Sequence, residues 1–147
     1  MNSTRATLAG FIATAAVTTL WLVEPYLGLP ALAVGSMLSS FLAVATAYLP
    51  IWPAVGWSLH LIVGIGLALI YARWLVDRLP GSPLARGLAY GFAVFVVAQV
   101  TFMPLVGAGF FSRGDLPLVA GSLLGHLVYG GLVGLIYGWR ATPRHVG

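Results

Sequence analysis

Two histidines lie at matching positions of a repeated sequence pattern, each inside a long apolar stretch. His60 is followed by Gly64 four residues later, and His126 by Gly130, so both pairs recur at a constant offset of 66 residues. An ionisable side chain at membrane depth marks a functional site by default. Two of them at equivalent positions predict one shared site.

Haem binding is one chemistry that this pattern could support. Two imidazoles at equal depth on neighbouring helices could ligate the iron of a b-type haem from opposite sides. Gly64 and Gly130 would leave room for the edge of the macrocycle. Arg113 could pair with a propionate. This interpretation predicts that His60 and His126 face each other across a gap.

A metal or proton site for transport is a second alternative. Glu24 could join His60 and His126 in a set of two histidines and one carboxylate, which suits several divalent metals. The third alternative is purely structural: neutral imidazoles that hydrogen-bond neighbouring groups and fix helix register. The sequence shows no nucleophile with a histidine and carboxylate relay and no phosphate-binding glycine loop with a lysine, so it predicts a non-catalytic protein.

Composition indicates an integral membrane protein. The chain has 147 residues, of which 60% are hydrophobic and 7% charged, whereas a soluble domain is about 25% charged. We do not expect the protein to bind nucleic acid, because its seven positive side chains are all arginines scattered singly at the ends of apolar segments. The partners expected are the lipid bilayer and other membrane subunits or further copies of the chain.

Four apolar stretches are long enough to cross a bilayer, at 8–26, 53–74, 84–103 and 117–139. A fifth apolar run, at 30–50, is bracketed by prolines, and we expect it to form a re-entrant or interfacial hairpin on the outer face. Six of the seven arginines fall in the two termini and the loop between the second and third spans. The arginine distribution therefore predicts that both termini are cytoplasmic.

The repetition extends beyond the histidines and predicts a tandem duplication. Gly10-Phe11 in the first span resembles Gly91-Phe92 in the third. The expected fold is all-α, with repeat 1 at about 5–75 and repeat 2 at about 84–140, in one transmembrane domain over 1–147. Repeats of two spans each are parallel and related by an axis along the membrane normal. The histidines then lie roughly 10 to 14 Å into their helices from the outer ends.

Small residues four apart line the second and fourth spans, and this spacing lets membrane helices approach closely. They are Gly64, Ala68 and Ala72 in the second span, and Gly121 and Gly125, then Gly130, Gly134 and Gly138, in the fourth. The spacing favours direct contact between the two histidine helices. Such contact would leave no room for a group held between them.

The segments from Gly56 to His60 and from Gly121 to Gly130 carry a resemblance to a known family. Together with the third span and its exit at Pro104, they are similar to a group of small bacterial membrane proteins of unknown function. The resemblance covers nearly the whole chain, and the Gly121 to Gly130 segment is its most specific part. It implies four transmembrane helices in a bacterial inner membrane and supplies no activity.

Small size without a soluble domain favours a protein that acts through its neighbours. We therefore expect an auxiliary or assembly subunit of a larger inner-membrane complex, and electron transfer is the process that we consider for that complex. A cytochrome with haem b between His60 and His126 and an oligomeric metal or proton transporter remain the alternatives.

Overall fold

The structure, a computed structural model, describes residues 1–28 and 53–138, and these form four long helices. The first, α1, spans Ser3–Val23 and continues as a 3-10 turn over Glu24–Leu27. The second, α2, spans Pro53–Ile70 and ends in a π-helical turn at Tyr71–Leu75. The expected hairpin at 30–50 lies outside the described residues.

The second pair of helices follows a tight connection. Helix α3 spans Pro83–Val97 and continues through a π-helical turn at Ala98–Phe102 to Met103–Leu105. A 3-10 turn at Phe110–Gly114 leads into α4, Leu116–Gly138.

Each of the four helices is long and apolar enough to cross a membrane. The stretches are Ser3–Tyr26, Val55–Leu75, Pro83–Leu105 and Leu116–Gly138. They coincide with the four spans expected from the sequence, so the all-helical fold and the four membrane-compatible helices are confirmed for residues 1–28 and 53–138.

Short polar side chains cap the N-terminal ends of three of these helices. Asn2 Oδ1 accepts a hydrogen bond from Arg5 N at 3.0 Å, and Asp115 Oδ1 accepts one from Leu118 N at 3.2 Å. Ser82 Oγ accepts one from Ala85 N at 3.3 Å. These caps satisfy backbone donors that the first turn of a helix leaves free, and they fix where each helix starts.

The helices pack in the order α2, α1, α4, α3. Helix α1 lies against both α2 and α4, and α4 lies against α3. Within the described ranges, α2 and α3 make no comparable backbone contact with each other, and neither do α2 and α4. The bundle is therefore closed on three sides, and its fourth side lies between α2 and α3.

Glycines on each hairpin explain the closest of these contacts. A Cβ added to Gly10 of α1 would lie 3.0 Å from the carbonyl oxygen of Gly64 in α2, and one added to Gly91 of α3 would lie 3.2 Å from Cα of Gly130 in α4. The prediction that the glycine spacing joins α2 to α4 was wrong. Gly64 of α2 faces α1, whereas Gly121 and Gly125 of α4 face α1 and the glycines from Gly130 to Gly138 face α3.

Arginines close the end of the bundle where α1 and α3 begin, which we call the arginine end. Arg5 Nε donates to the carbonyl oxygen of Ile136 in α4 at 2.7 Å, and Arg86 Nη1 donates to that of Val76, just beyond α2, at 3.0 Å. A positive side chain at the C-terminal end of a helix satisfies free carbonyl groups and complements the helix dipole. The opposite end, where α1 finishes at Glu24, is called the Glu24 end.

Candidate functional site

A cavity of about 420 Å³ lies within the bundle, and all four helices contribute to its wall. Most of the wall is apolar, and both histidines belong to it. The side chains with polar atoms that line the cavity are those of Thr14, Trp21, His60, Thr101, Ser122, His126 and Tyr129. His60 and His126 therefore both line one cavity.

The cavity opens between α2 and α3. Val63 of α2 and Val97 of α3 both line it, and both are exposed on the outside of the bundle. Both helices that border the opening are long and apolar enough to cross a membrane.

Side-chain size explains why the bundle is open on this side and closed on the other. Between α1 and α4, the indole of Trp21 fills the space beside Gly125, where an added Cβ would lie 2.6 Å from its Nε1. Gly125 corresponds, at the offset of 66, to Leu59 of α2, which lines the cavity. A leucine in place of a glycine prevents the close approach that α1 and α4 make.

A second difference between corresponding positions also keeps α2 and α3 apart, nearer the arginine end. Ala9 of α1 corresponds to Tyr90 of α3 at an offset of 81, the same offset as between Gly10 and Gly91. The hydroxyl of Tyr90 donates to the carbonyl oxygen of Leu67 in α2 at 2.8 Å. The tyrosine joins α3 to α2 through a side chain and so keeps their backbones apart.

The ring of His126 is held by its own helix. Nδ1 lies 2.7 Å from the carbonyl oxygen of Ser122, one turn earlier. A carbonyl oxygen only accepts, so Nδ1 of a neutral imidazole carries the proton in this contact and Nε2 is left as an acceptor. The edge of Phe95, with ring centroids 5.9 Å apart, supports the imidazole from α3.

His60 lies between two tryptophans. Its ring centroid is 5.3 Å from that of Trp21 and 6.1 Å from that of Trp57. Within the described part of the chain, neither Nε2 of His60 nor Nε1 of Trp21 has a hydrogen-bond partner, and both atoms are buried. A buried donor or acceptor without a partner costs about 1 to 3 kcal/mol.

Two tyrosines link the helices at the end of the cavity that is nearer the arginine end. Tyr129 lines the cavity, and its hydroxyl donates to the carbonyl oxygen of Gly64 at 2.5 Å. Together with the bond from Tyr90 to Leu67, this contact ties α3 and α4 to α2 below the histidines.

The other residues predicted for the site lie elsewhere or have a packing role. Gly64 lines the cavity, but Thr14 fills the space that a side chain there would need. Gly87 and Gly91 of α3 fill the space beside Gly130. Arg113 donates to the carbonyl oxygen of Gly107, in the loop before α4, and does not line the cavity. The space that a macrocycle edge would need beside the two glycines is thus occupied by neighbouring helices.

Glu24 is fully buried at the end of α1 but lies outside the cavity wall. Its carboxylate lies beside Gly121 of α4, where an added Cβ would be 3.1 Å from Oε2. Neither carboxylate oxygen has a hydrogen-bond partner among the described residues. In the same part of the chain, no group of three or more His, Asp or Glu side chains could hold a metal ion.

The loop before α4 contacts His126 indirectly, through Phe95. Phe111, Ser112 and Arg113 all have left-handed backbone angles, with φ of 45°, 49° and 54°. Such angles cost roughly 1 to 2 kcal/mol per residue outside glycine. The turn places Phe111 against Phe95, with ring centroids 6.2 Å apart, and Phe95 in turn contacts His126.

Sequence reasoning missed Trp21 and Leu59 as parts of the site. Trp21 gives a signal, since it is a tryptophan three residues before Glu24, within an apolar span rather than beyond its end. Leu59 gives a signal only when positions 66 residues apart are compared, because the informative fact is that Leu59 differs from Gly125.

These features define a class: an all-helical protein with four membrane-compatible helices and an apolar cavity between them that two histidines line. The chain belongs to DUF6789, a family of unknown function, whose family model matches residues 1–146. Comparisons with curated proteins and with solved structures found no match.

Proposed function

We propose that this protein is a non-catalytic integral membrane protein that holds a lipophilic molecule between α2 and α3, as an auxiliary or assembly subunit of a larger inner-membrane complex. The observation that carries the proposal is the cavity of about 420 Å³, with its opening between Val63 and Val97. Ligand pockets of about 300 to 1,000 Å³ with an apolar wall and a few polar groups are the usual form of a small-molecule site.

The membrane is the bacterial inner membrane in this proposal, and both termini are cytoplasmic. The arginine end, with Arg5, Arg73, Arg78 and Arg86, then faces the cytoplasm. The histidines lie in the outer half of the bilayer.

Duplication of a two-helix unit is also part of the proposal. Equivalent glycines make equivalent contacts in the two hairpins, Gly10 with Gly64 and Gly91 with Gly130. Tyr71 and Tyr137, which are equivalent at the offset of 66, meet each other with ring centroids 6.3 Å apart, as residues near a two-fold axis do. The cavity occupies the place where the second copy of the α1–α4 contact would be.

Haem and metal transport receive less support from the geometry. Nε2 of His60 is buried, and the indole of Trp21 lies against its ring. An iron between two axial imidazoles needs an open nitrogen on each and space for the macrocycle. Glu24 lies at Gly121, away from the cavity wall, so no three-ligand set with the two histidines forms in the described residues.

Purification in a mild detergent tests the proposal. We expect the protein to carry an organic molecule that solvent extraction releases, and to co-purify with other membrane subunits. Recovery of a stoichiometric Soret band that the double variant His60→Leu/His126→Leu abolishes would favour haem instead. A preparation without any extractable lipophilic molecule beyond bulk lipid would contradict the proposal.

A further inference from the structure

The wall of the cavity offers a ligand few free hydrogen-bonding groups. We infer that the part of the ligand enclosed between α2 and α3 is a hydrocarbon chain, namely one acyl chain of a phospholipid whose head group stays outside the opening. The inference rests on the proposed function and names the chemical class of its ligand. This phospholipid differs from bulk lipid because the cavity retains it when the surrounding bilayer is removed.

The hydroxyl groups of the wall give their protons to backbone carbonyl groups. Oγ1 of Thr14 and Oγ1 of Thr101 each donate to the carbonyl oxygen one turn earlier in the helix, at 2.7 and 2.6 Å. The hydroxyl of Tyr129 donates to the carbonyl oxygen of Gly64. An ester, ketone or phosphate oxygen in the cavity would therefore find no donor among these three groups.

The ring nitrogens of the wall are engaged or out of reach in the same way. Nδ1 of His126 donates to the carbonyl oxygen of Ser122 at 2.7 Å. Nε1 of Trp21 is packed against Gly125, and Nε2 of His60 is buried as well, so neither atom meets a molecule in the cavity. Of these nitrogens, Nε2 of His126 remains as an acceptor. One acceptor does not replace the water around a polar head group.

Water does not suit this space either. A buried water molecule needs about two to four polar partners, whereas the remainder of the wall is built from side chains such as Val17, Leu59, Leu67 and Val94. An empty apolar cavity loses the dispersion contacts of its lining. A hydrocarbon chain restores those contacts and requires no hydrogen bond.

The shape of the cavity admits a chain from the side. Toward the arginine end, the hydroxyls of Tyr90 and Tyr129 link α3 and α4 to α2. At the side, Val63 and Val97 border the opening, and both are exposed. In the proposed function both helices cross the membrane, so the opening meets the acyl chains of the bilayer. A wall without strong polar selection binds what is most abundant there, and that is phospholipid.

Phospholipids allow chain and head group to be varied separately. Native mass spectrometry of the full-length protein compares dioleoylphosphatidylglycerol with dihexanoylphosphatidylglycerol, which has the same head group on short chains. Dioleoylphosphatidylcholine has the long chains and a different head group. We expect the two dioleoyl lipids to bind within about threefold of each other, and the dihexanoyl lipid to bind about tenfold more weakly or less, because its chains are too short to fill the cavity.

Two substitutions along α3 and its π-helical turn test whether the chain lies in the cavity. Val94, one turn from Tyr90, lines the cavity, so Val94→Phe should fill that end and weaken both dioleoyl lipids about tenfold. Val100 is 40% exposed and is not part of the described wall, so Val100→Phe should bind all three lipids as the parent does. Each lipid partitions into detergent alike in the two experiments, so a difference between the variants reports the cavity. If Val94→Phe fails to fold, Ala98→Phe fills the cavity in its place.

The outcomes separate the inference from the proposed function. Equal affinity for long and short chains, a tenfold preference between the two head groups, or equal binding by Val94→Phe and Val100→Phe would overturn the acyl chain. A purified protein that retains a lipophilic molecule other than a phospholipid would overturn the acyl chain and leave the proposed function in place. A protein that retains no such molecule and binds none of the three lipids would overturn both.

Discussion

The indole of Trp21 lies against the imidazole of His60, with ring centroids 5.3 Å apart and planes tilted by 38°. The other edge of the same indole lies beside Gly125, the residue before His126. One side chain of α1 therefore touches both histidine helices, and it sets how far apart they are. The separation of the histidines follows from α1 rather than from direct contact between α2 and α4.

Close packing of the second hairpin depends on Gly91. A Cβ at this position would lie 2.2 Å from the carbonyl oxygen of His126, so the helices must move apart to accept it. We expect Gly91→Ala to lower the free energy of unfolding by about 1 to 3 kcal/mol, measured by circular dichroism during denaturation in detergent.

Gly66→Ala is the control for this prediction, because a Cβ there has no neighbour within 4 Å. Its stability should equal that of the parent or rise slightly, since alanine favours helix more than glycine does. Equal losses in the two variants would mean that glycine flexibility, and not close packing, explains the effect.

The hydroxyl of Tyr129 ties α4 to α2 through the carbonyl oxygen of Gly64. Tyr129→Phe removes this bond and keeps the ring, so we expect a loss of about 0.6 to 2 kcal/mol in the same denaturation experiment. Tyr26→Phe should change nothing, because Tyr26 is 88% exposed. A Tyr129→Phe protein as stable as the parent would show that the hydroxyl does not join the helices.

Orientation can be tested with single cysteines, because the chain contains none. Tyr26→Cys places a thiol at the Glu24 end, and Asp77→Cys places one at the arginine end, both at exposed positions. We expect a membrane-impermeant maleimide to label Tyr26→Cys in cells whose inner membrane is intact, and Asp77→Cys only after that membrane is opened. The reverse pattern would place the termini outside and contradict the arginine rule.

Much of the fold could be predicted from the sequence because the strongest signals are local. Length and apolar composition identify each span, and caps such as Asn2 and Asp115 fix helix starts within a few residues. The equivalent positions of His60 and His126 predict that they share a site, and both line one cavity.

The helix order could not be predicted in the same way. Glycine spacing shows that a helix face packs closely, but it does not identify the helix that packs against it. Every helix here carries small residues on one face, so several pairings satisfy the pattern. The faces of Gly64 and Gly130 meet α1 and α3, because Thr14 and Gly91 offer matching surfaces there. The cavity depends on a difference between two positions 66 residues apart, Leu59 and Gly125, and a search for similarity overlooks such a difference.

The central claim is that the cavity between α2 and α3 holds a ligand, and native mass spectrometry of three proteins tests it most directly. Leu59→Trp would fill the cavity from its wall, whereas Ile62→Trp adds the same side chain to α2 on its 65% exposed outer face. We predict that the parent and Ile62→Trp retain one lipophilic molecule after mild extraction and that Leu59→Trp does not. Equal retention by all three folded proteins would contradict the account.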